Sequence, residues 1–451
     1  MSLSRNDTHK LAHLLRRAGF GARPQEWTAY AALGVAGTTE RLLHPESVPD
    51  HLAEVMQDIN GDYIDVNNLD SLRQWWLYRM AHSQRPLEEK MTLFWHNHFA
   101  TANYKVDRPE RMWQQNKTLR AHALGSFRTL LQAISRDPAM MVWLDAEQNK
   151  KGKPNENFGR ELQELFTLGI GSGYTETDVK EVARAFTGWS ADNNQGTFWF
   201  DPNHHDDGPK TFLGETGNFN GDDIIDIIVR QPATARFICT KLFKFFVHDT
   251  PTPADLKPLI DAYFRSGYEI RDVLQAALTS PAFYSEQAFY AKIKSPVEFL
   301  VTTVRTLNAP MAALDNPSRI LRNMGQDLFN PPNVKGWPEG RTWMNTTTML
   351  TRLNFVNYVT HEMSRRGSLT TNLRAALAAQ GLGEEGTLAT PEQMVDAVWN
   401  TLLPGLSPTA ATRRLLAAFV QEGAKPGQAH FDSKAAGLTF LILSAPEYHL
   451  A

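Results

Sequence analysis

Two histidines on one predicted helix are the first candidates for chemistry. The apolar spacing over residues 87–99 predicts a helix, and each residue of a helix turns by about 100°. His98 then lies on the apolar face, while His96 lies roughly opposite Phe94. The two rings can bind one metal ion only if the helix ends near Asn97. The alternative is a pair of core histidines that find their hydrogen bonds locally.

Two carboxylates on a later predicted helix, residues 157–168, raise the same question. Glu161 lies within the apolar face of that helix, and Glu164 lies at its edge. Side chains three residues apart can meet one ligand on the same side of a helix. A carboxylate among apolar neighbours needs a metal ion, a cation or strong donors, or it stays protonated. The pattern suits a metal ligand or a general acid–base group, and it suits a buried ion pair with Arg160 or Arg184 as well.

The densest polar cluster lies in an irregular segment between residues 190 and 215. Residues 203–210 read Asn-His-His-Asp-Asp-Gly-Pro-Lys. Imidazole and carboxylate ligands suit zinc, iron or manganese, so one of His204, His205 and Asp206 is predicted to complete a metal site. Lys210 is predicted to hold an anionic group of the substrate. The alternative is a solvated loop without a ligand.

A second irregular segment is rich in proline, glycine and tryptophan, which break regular structure. Four of its residues are candidates for the lining of a substrate pocket: Trp337, Arg341, Trp343 and Asn345. Functional residues often lie on such loops. The same segment serves equally well as an apolar plug between two layers of helices.

Helices must position all of these groups, because the dominant periodicity of the sequence is helical. We predict a mostly α fold, a large irregular multi-helix bundle with long Gly/Pro/aromatic loops. A small β-hairpin is predicted around residues 197–201 and 210–213. Residues 1–365 are predicted to form the main helical body that carries the site. Residues 366–451 are predicted to form a smaller C-terminal helical part packed on it.

Composition narrows the class of protein. The 451 residues carry 46 basic and 49 acidic side chains, a net charge of −3, which disfavours a generally basic nucleic-acid binder. The single cysteine excludes an intramolecular disulfide and cysteine-rich metal sites. Neither a signal-peptide core nor a membrane-spanning apolar run is visible. We expect a soluble, cytoplasmic protein, or a periplasmic or exported one if a leader was removed.

Several common catalytic motifs are missing from the sequence. It contains no dinucleotide-binding glycine fingerprint, no phosphate-binding P-loop, no nucleophile elbow and no His-Glu-x-x-His. Serine hydrolases of that type, P-loop enzymes and the common metalloproteases are therefore disfavoured.

Seven motifs occur in a specific order along the chain. They are Leu-Leu-Arg-Arg-Ala-Gly-Phe-Gly at 14–21, Phe-Trp-His-Asn-His-Phe at 94–99, Asn-Glu-Asn-Phe-Gly-Arg-Glu-Leu-Gln-Glu-Leu at 155–165, Gly-Tyr-Thr-Glu-Thr-Asp-Val at 173–179, Ala-Phe-Thr-Gly-Trp at 185–189, His-Asp-Asp-Gly-Pro-Lys at 205–210 and Asn-Pro-Pro-Asn-Val-Lys-Gly-Trp at 330–337. In this order they make nearly the whole chain resemble the bacterial family called domain of unknown function 1800 (DUF1800).

That family has no established activity, so the resemblance implies no substrate. It implies a sulfatase-like partner protein and a location in the cell envelope, although this chain departs from many members in having no visible export signal. Related sequences often have histidine where this chain has Phe166, so one candidate ligand is missing here.

These observations together predict a metal-dependent enzyme, with hydrolysis as the first choice of reaction and redox chemistry as the second. The predicted ligands of a divalent metal ion are His96 or His98 together with one of His204, His205 and Asp206. Glu161 and Glu164 are predicted as ligands or as the catalytic base, and the metal ion would activate water or polarise a substrate oxygen. The alternative is a non-catalytic helical scaffold or a binding protein that acts with a partner protein. The oligomeric state stays open.

Overall fold

The computed structural model describes residues 5–52, 61–192, 196–378, 390–422 and 431–451. Within these ranges the chain folds into 21 α-helices and two small two-stranded sheets. The prediction of a mostly α fold is confirmed.

The regular elements follow one another with short connections through most of the chain. In order they are α1 (Arg5–Arg17), α2 (Pro24–Leu43), α3 (Leu69–His82), α4 (Pro86–His98), α5 (Asn103–Val106), α6 (Pro109–Ala121), α7 (Phe127–Ser135), α8 (Pro138–Trp143), α9 (Asn157–Glu161), α10 (Glu176–Ala185), β1 (Trp189–Asp192), β2 (Thr197–Phe200), β3 (Lys210–Phe212), β4 (Glu215–Gly217), α11 (Gly221–Val229), α12 (Pro232–Phe246), α13 (Pro253–Arg265), α14 (Ile270–Leu278), α15 (Pro296–Leu307), α16 (Pro317–Asn323), α17 (Thr346–Arg365), α18 (Ser368–Ala378), α19 (Pro391–Leu402), α20 (Ala410–Gln421) and α21 (Phe431–Leu443). A π-helical turn, Leu162–Thr167, continues α9.

Local sequence signals set many of the helix starts. Proline stands in the first turn of α4, where its missing N–H has no helical partner to lose. At the start of α10, Thr175 and Asp178 form a capping box, in which each side chain binds the other residue's backbone N–H. Each such cap stabilises its helix by about 1 kcal/mol.

The predicted hairpin is wrong in its pairing. The predicted strand around residues 197–201 forms β2, but β2 pairs antiparallel with β1. The segment near residue 210 forms β3 and pairs with β4 instead. Leu213 and Gly214, both with positive φ, close a two-residue turn between β3 and β4. A turn of this length is the shortest route to an antiparallel pair, so each strand takes its nearest neighbour in sequence.

A buried ionic cluster ties α3, α4 and α6 together. Glu89 of α4 is 0% exposed and accepts hydrogen bonds from Trp76 and Arg79 at 3.0 Å each. Arg120 of α6 donates two more, at 2.8 and 2.9 Å. Burial alone would raise the pKa of Glu89, but Arg120 and Arg79 hold it at about 2.

One apolar core runs through residues on both sides of position 365, from Trp76 and Trp95 to Val359 and Trp399. Helices of the C-terminal part pack directly on the main body, α18 and α19 against α15, and α21 against α17. The predicted division at residue 365 stays a prediction.

Candidate functional site

The end of α4 holds the loop that contains residues 330–337. His96 is buried, and its Nε2 accepts the backbone N–H of Phe329 at 3.1 Å. Burial lowers the pKa of His96 to about 3, so the ring is neutral. Asn97 Oδ1 accepts the N–H of Trp337 at 2.7 Å. Gly336 has a φ of +83°, and a Cβ there would overlap Asn97. Phe329, Gly336 and Trp337 are thus fitted to two side chains of α4.

His98 uses both ring nitrogens within the protein. Its Nε2 lies 3.0 Å from the carbonyl oxygen of Phe166, and its Nδ1 lies 3.0 Å from Lys241 Nζ. These partners assign the proton to Nε2 and the lone pair to Nδ1. Burial first and Lys241 second hold the pKa of His98 well below its usual range. In this arrangement the ring caps the π-helical turn after α9 and has no nitrogen left for a metal ion.

The two predicted carboxylates lie on the partly exposed side of α9 and its π-helical continuation. Arg160 Nη1 lies 3.7 Å from Glu164, so Glu164 takes part in a surface ion-pair network. Glu161 is half-buried, and within the described ranges its carboxylate has no hydrogen bond or ion pair. Burial and Glu164 raise the pKa of Glu161, against the opposing charges of Lys335 and Arg160. Of the predicted acids, Glu161 is the one that lacks a partner in the part of the chain that the structure describes.

The two histidines of the 203–210 segment bind neighbouring protein groups. His204 Nδ1 lies 2.5 Å from Asp201 Oδ2, within the same turn. His205 is buried, and its Nδ1 lies 2.8 Å from the carbonyl oxygen of Thr187. His205 therefore fixes the loop to the chain just after α10, whereas His204 stabilises the turn in which it lies.

Asp206 and Lys210 complete that attachment. Arg184 of α10 forms a bidentate salt bridge with Asp206, with N–O distances of 2.9 and 3.1 Å. Lys210 is 1% exposed and donates to the carbonyl oxygens of Asp206 and Gly208, at 2.5 and 3.1 Å. The ammonium group that was predicted to hold a substrate anion thus stabilises a turn.

The four residues predicted to line a substrate pocket separate into two pairs. Trp337 and Trp343 are buried and line a small cavity of about 50 Å³. Asn345 caps α17 by accepting the N–H of Thr348, and Arg341 is exposed.

Among the residues that the structure describes, no three side chains of the types His, Cys, Asp and Glu come close enough together to hold a metal ion. The divalent ion predicted from the sequence stays a prediction.

A much larger pocket lies elsewhere, between the N-terminal helices and the C-terminal part. Its volume is about 690 Å³, and α1, α2 and α15 face α18, α19 and α20 across it. We call it the cationic pocket; its lining includes Thr8, Arg16, Trp27, Lys294, Thr302 and Leu403. A glycine allows its wall to close: Gly405 has a φ of +81°, and a Cβ there would lie 2.5 Å from the Cα of His9 in α1.

Arg16 is the unusual group of this pocket. Its side chain is 7% exposed, and none of its three guanidinium nitrogens has a hydrogen-bond partner among the described residues. Among the described residues, its guanidinium group lies against the ring of Tyr290, whose centroid is 4.3 Å from the guanidinium carbon. Burial lowers the pKa of Arg16, in the direction expected for a cation without a counter-charge.

A second buried cation lies beside it. Lys294 is 2% exposed, and its ammonium donates to the carbonyl oxygen of Tyr448 at 2.6 Å. Burial first and Arg16 second hold the pKa of Lys294 well below its usual range. The nearest acid with an opposing effect, Glu298, is already paired with Lys90.

The remaining charges of the pocket do not supply the missing anion. Asp396 is the single acidic residue in its lining, and its Oδ1 lies 2.9 Å from Arg413 Nε. The lining also contains Arg23. Four basic residues therefore share the described lining with one carboxylate that has its own partner, so basic groups are in excess there.

The sequence interpretation missed this pocket, although α1 contains a signal for it. Arg16 and Arg17 follow the three leucines of an amphipathic helix, Leu11, Leu14 and Leu15. Adjacent residues point about 100° apart on a helix, so the two arginines cannot serve the same neighbour. Arg17 donates to the carbonyl oxygens of residues 245 and 246, whereas Arg16 is one of the residues that line the pocket.

The fold and the pocket together define a large helical protein with a cationic cavity between its N-terminal helices and its C-terminal part. The chain belongs to the family described as "Protein of unknown function (DUF1800)", which matches residues 13–450. No curated protein and no solved structure matches it. Within the described ranges, no helix combines the length and the apolar run needed to cross a membrane.

Proposed function

We propose that this protein binds a small organic anion in the cationic pocket, with Arg16 as the group that contacts the anion. One observation carries the proposal: Arg16 lines the pocket, and its three buried guanidinium nitrogens have no hydrogen-bond partner among the described residues. An unpaired buried charge costs several kcal/mol. A bound oxyanion can accept two parallel hydrogen bonds from the guanidinium group, in the bidentate geometry that arginine favours. These hydrogen bonds and the opposite charge offset the cost of burial.

Size and charge support a small molecule as the ligand. A volume of about 690 Å³ lies in the range of small-molecule and cofactor sites, which often occur where two parts of a chain meet. Lys294 adds an amino group to the same lining, and a bound anion would favour its charged form. The threonine hydroxyls of the α15 wall, at positions 302 and 306, add neutral hydrogen-bonding groups.

This proposal develops the binding-protein alternative of the sequence interpretation. The metal-dependent hydrolase, with an oxidoreductase as second choice, stays a prediction, because the histidines named for it donate to or accept from other protein groups. Metal analysis of the purified chain tests it directly. One divalent ion per chain, lost on His98→Ala, would support the enzyme over the binding protein. The sulfatase-like partner and the cellular location also stay predictions.

Thermal unfolding in the presence of inorganic phosphate and of acetate, at constant ionic strength, tests anion binding. A ligand at one hundred times its Kd stabilises the folded state by about 2.7 kcal/mol. For 451 residues, at an unfolding entropy of about 2.1 cal/mol/K per residue, this raises the melting midpoint by about 3 °C.

Two variants separate the pocket from general charge effects. Arg16→Met should lose the anion-dependent shift. Arg236→Met removes one exposed positive charge from α12 and should retain it. Equal shifts in both variants, or no anion-specific shift in the unaltered protein, would contradict the proposal.

A further inference from the structure

The cationic pocket has an apolar wall as well as basic residues. Ala12 and Leu15 of α1 and Trp27 and Ala31 of α2 form an apolar wall on the N-terminal side. On the opposite side, α19 ends in Leu402 and leads into the loop after it.

The N-terminal wall is not part of the main core. Leu11, Leu15 and Tyr30 form a separate small buried cluster, with Trp27 and Ala31 packed partly buried against it. Because these two residues line the pocket and keep part of their surface accessible, their apolar surface is available to a ligand.

The positive charge of the pocket is concentrated on one pair of neighbours. Arg16 and Lys294 lie close enough for Arg16 to lower the pKa of Lys294. The other two basic residues of the lining have protein partners: Arg413 pairs with Asp396, and Arg23 donates to the carbonyl oxygen of Ala81. The pocket therefore offers a single strong position for one anionic group, together with an apolar surface for the rest of the ligand.

We infer that the ligand is a single-chain amphiphilic acid, in which a carboxylate or phosphate monoester head contacts Arg16 and Lys294 and an apolar body lies along the wall made by α1 and α2. This inference rests on the proposed function. A fully hydrophilic anion would leave the apolar wall hydrated, whereas an amphiphile buries it, and burial of apolar surface is favourable in proportion to area.

Calorimetric titration of the full chain with acetate, butyrate, hexanoate and octanoate tests the apolar body. Each methylene group that becomes buried contributes about 0.8 kcal/mol, a fourfold gain in affinity. Octanoate should bind at least fiftyfold more tightly than butyrate. Octyl phosphate and inorganic phosphate, titrated in parallel, distinguish a phosphate head from a carboxylate head.

Two alanines of α2 provide matched variants. Ala31→Phe fills the pocket beside the apolar wall and should remove the gain with chain length. Ala32→Phe adds the same ring to the exposed side of the same helix and should leave it unchanged. Melting midpoints show whether each variant is folded, and if Ala31→Phe does not fold, the chain-length series on the unaltered protein decides alone.

The outcomes separate the two proposals. If butyrate and octanoate bind equally well, and Arg16→Met abolishes both, the amphiphile is wrong and anion binding stands. If no anion of either series binds, anion binding itself is wrong. If octanoate binds more tightly but equally well to Arg16→Met, the head group does not lie on Arg16, and both proposals fail.

Discussion

Arg16 and Arg17 are adjacent in α1, but the same substitution should change the stability of the protein in opposite directions at the two positions. Arg17 donates at 2.9 and 2.7 Å to the carbonyl oxygens of Phe246 and Phe245. Arg16 has no such acceptor among the described residues. Replacement of either by methionine keeps most of the aliphatic length and removes the charge.

The magnitudes follow from these contacts. A buried unpaired ion lowers the free energy of unfolding by several kcal/mol. The cation–π contact of Arg16 with Tyr290 offsets about 2 kcal/mol of this loss. Arg16→Met should therefore stabilise the ligand-free protein by about 1–2 kcal/mol. Arg17→Met leaves two carbonyl groups unsatisfied, at about 1–3 kcal/mol each, and should destabilise it by about 2–5 kcal/mol.

Differential scanning calorimetry of the two variants measures the contrast. With an unfolding entropy of about 0.9 kcal/mol/K for 451 residues, the melting midpoint should rise by 1–2 °C for Arg16→Met and fall by about 2–5 °C for Arg17→Met. Arg236→Met, on the exposed side of α12, should change it by less than about 0.5 °C. If Arg16→Met lowers the midpoint as much as Arg17→Met, Arg16 is a structural residue, and the reasoning from its unpaired donors is refuted.

Three further substitutions test other parts of the structure. Glu89→Gln should destabilise the protein by about 3–5 kcal/mol, because it removes the one carboxylate shared by Arg79 and Arg120 and leaves Arg79 with Asp50 alone; urea denaturation would measure the loss. The pKa of Glu89 lies at about 2, below its ordinary value of 4.5. Its carboxylate therefore contributes about 3 kcal/mol to the free energy of unfolding above pH 4.5, and this contribution is lost as the pH falls toward 2. An acid-unfolding curve that is the same in Glu89→Gln would argue against this. Glu161→Gln should leave the melting midpoint unchanged or slightly higher, since the carboxylate has no ion pair among the described residues and its pKa is raised; a loss above 3 kcal/mol would reveal a structural partner. Gly336→Ala should destabilise the protein, because a Cβ there overlaps Asn97 and the φ is positive; an unchanged midpoint would show that the loop can move away from α4.

Local sequence patterns predicted the helices and several of their ends. The predicted helix over 157–168 is present, but its second half is a π-helical turn. Apolar periodicity does not distinguish these forms, because both place apolar residues on the buried side. The pairing of the short strands depended on turn geometry at Gly214, and the expected pairing across residues 202–209 did not form.

The helical wheel correctly assigned His98 to the buried face, yet it could not identify the partners of the ring. Phe166 is 68 residues away and Lys241 is 143 residues away in sequence. The same holds for Asp206, whose ion pair with Arg184 depends on how the loop folds back on α10. A residue type and its spacing indicate what a group can bind, but which donor it meets depends on the packing of distant elements.

The sequence by itself determined that this protein is a large helical body with one cysteine, nearly balanced charge and a set of motifs shared with its family. Those properties depend on composition and on contacts within a few residues. Tertiary structure alone decided that the histidines predicted as ligands bind other protein groups, and that Arg16 lines a pocket with no hydrogen-bond partner in the described part of the chain. Burial and counter-charge are set by elements more than two hundred residues apart, and no local pattern in α1 contains the positions of α15, α19 or Lys294.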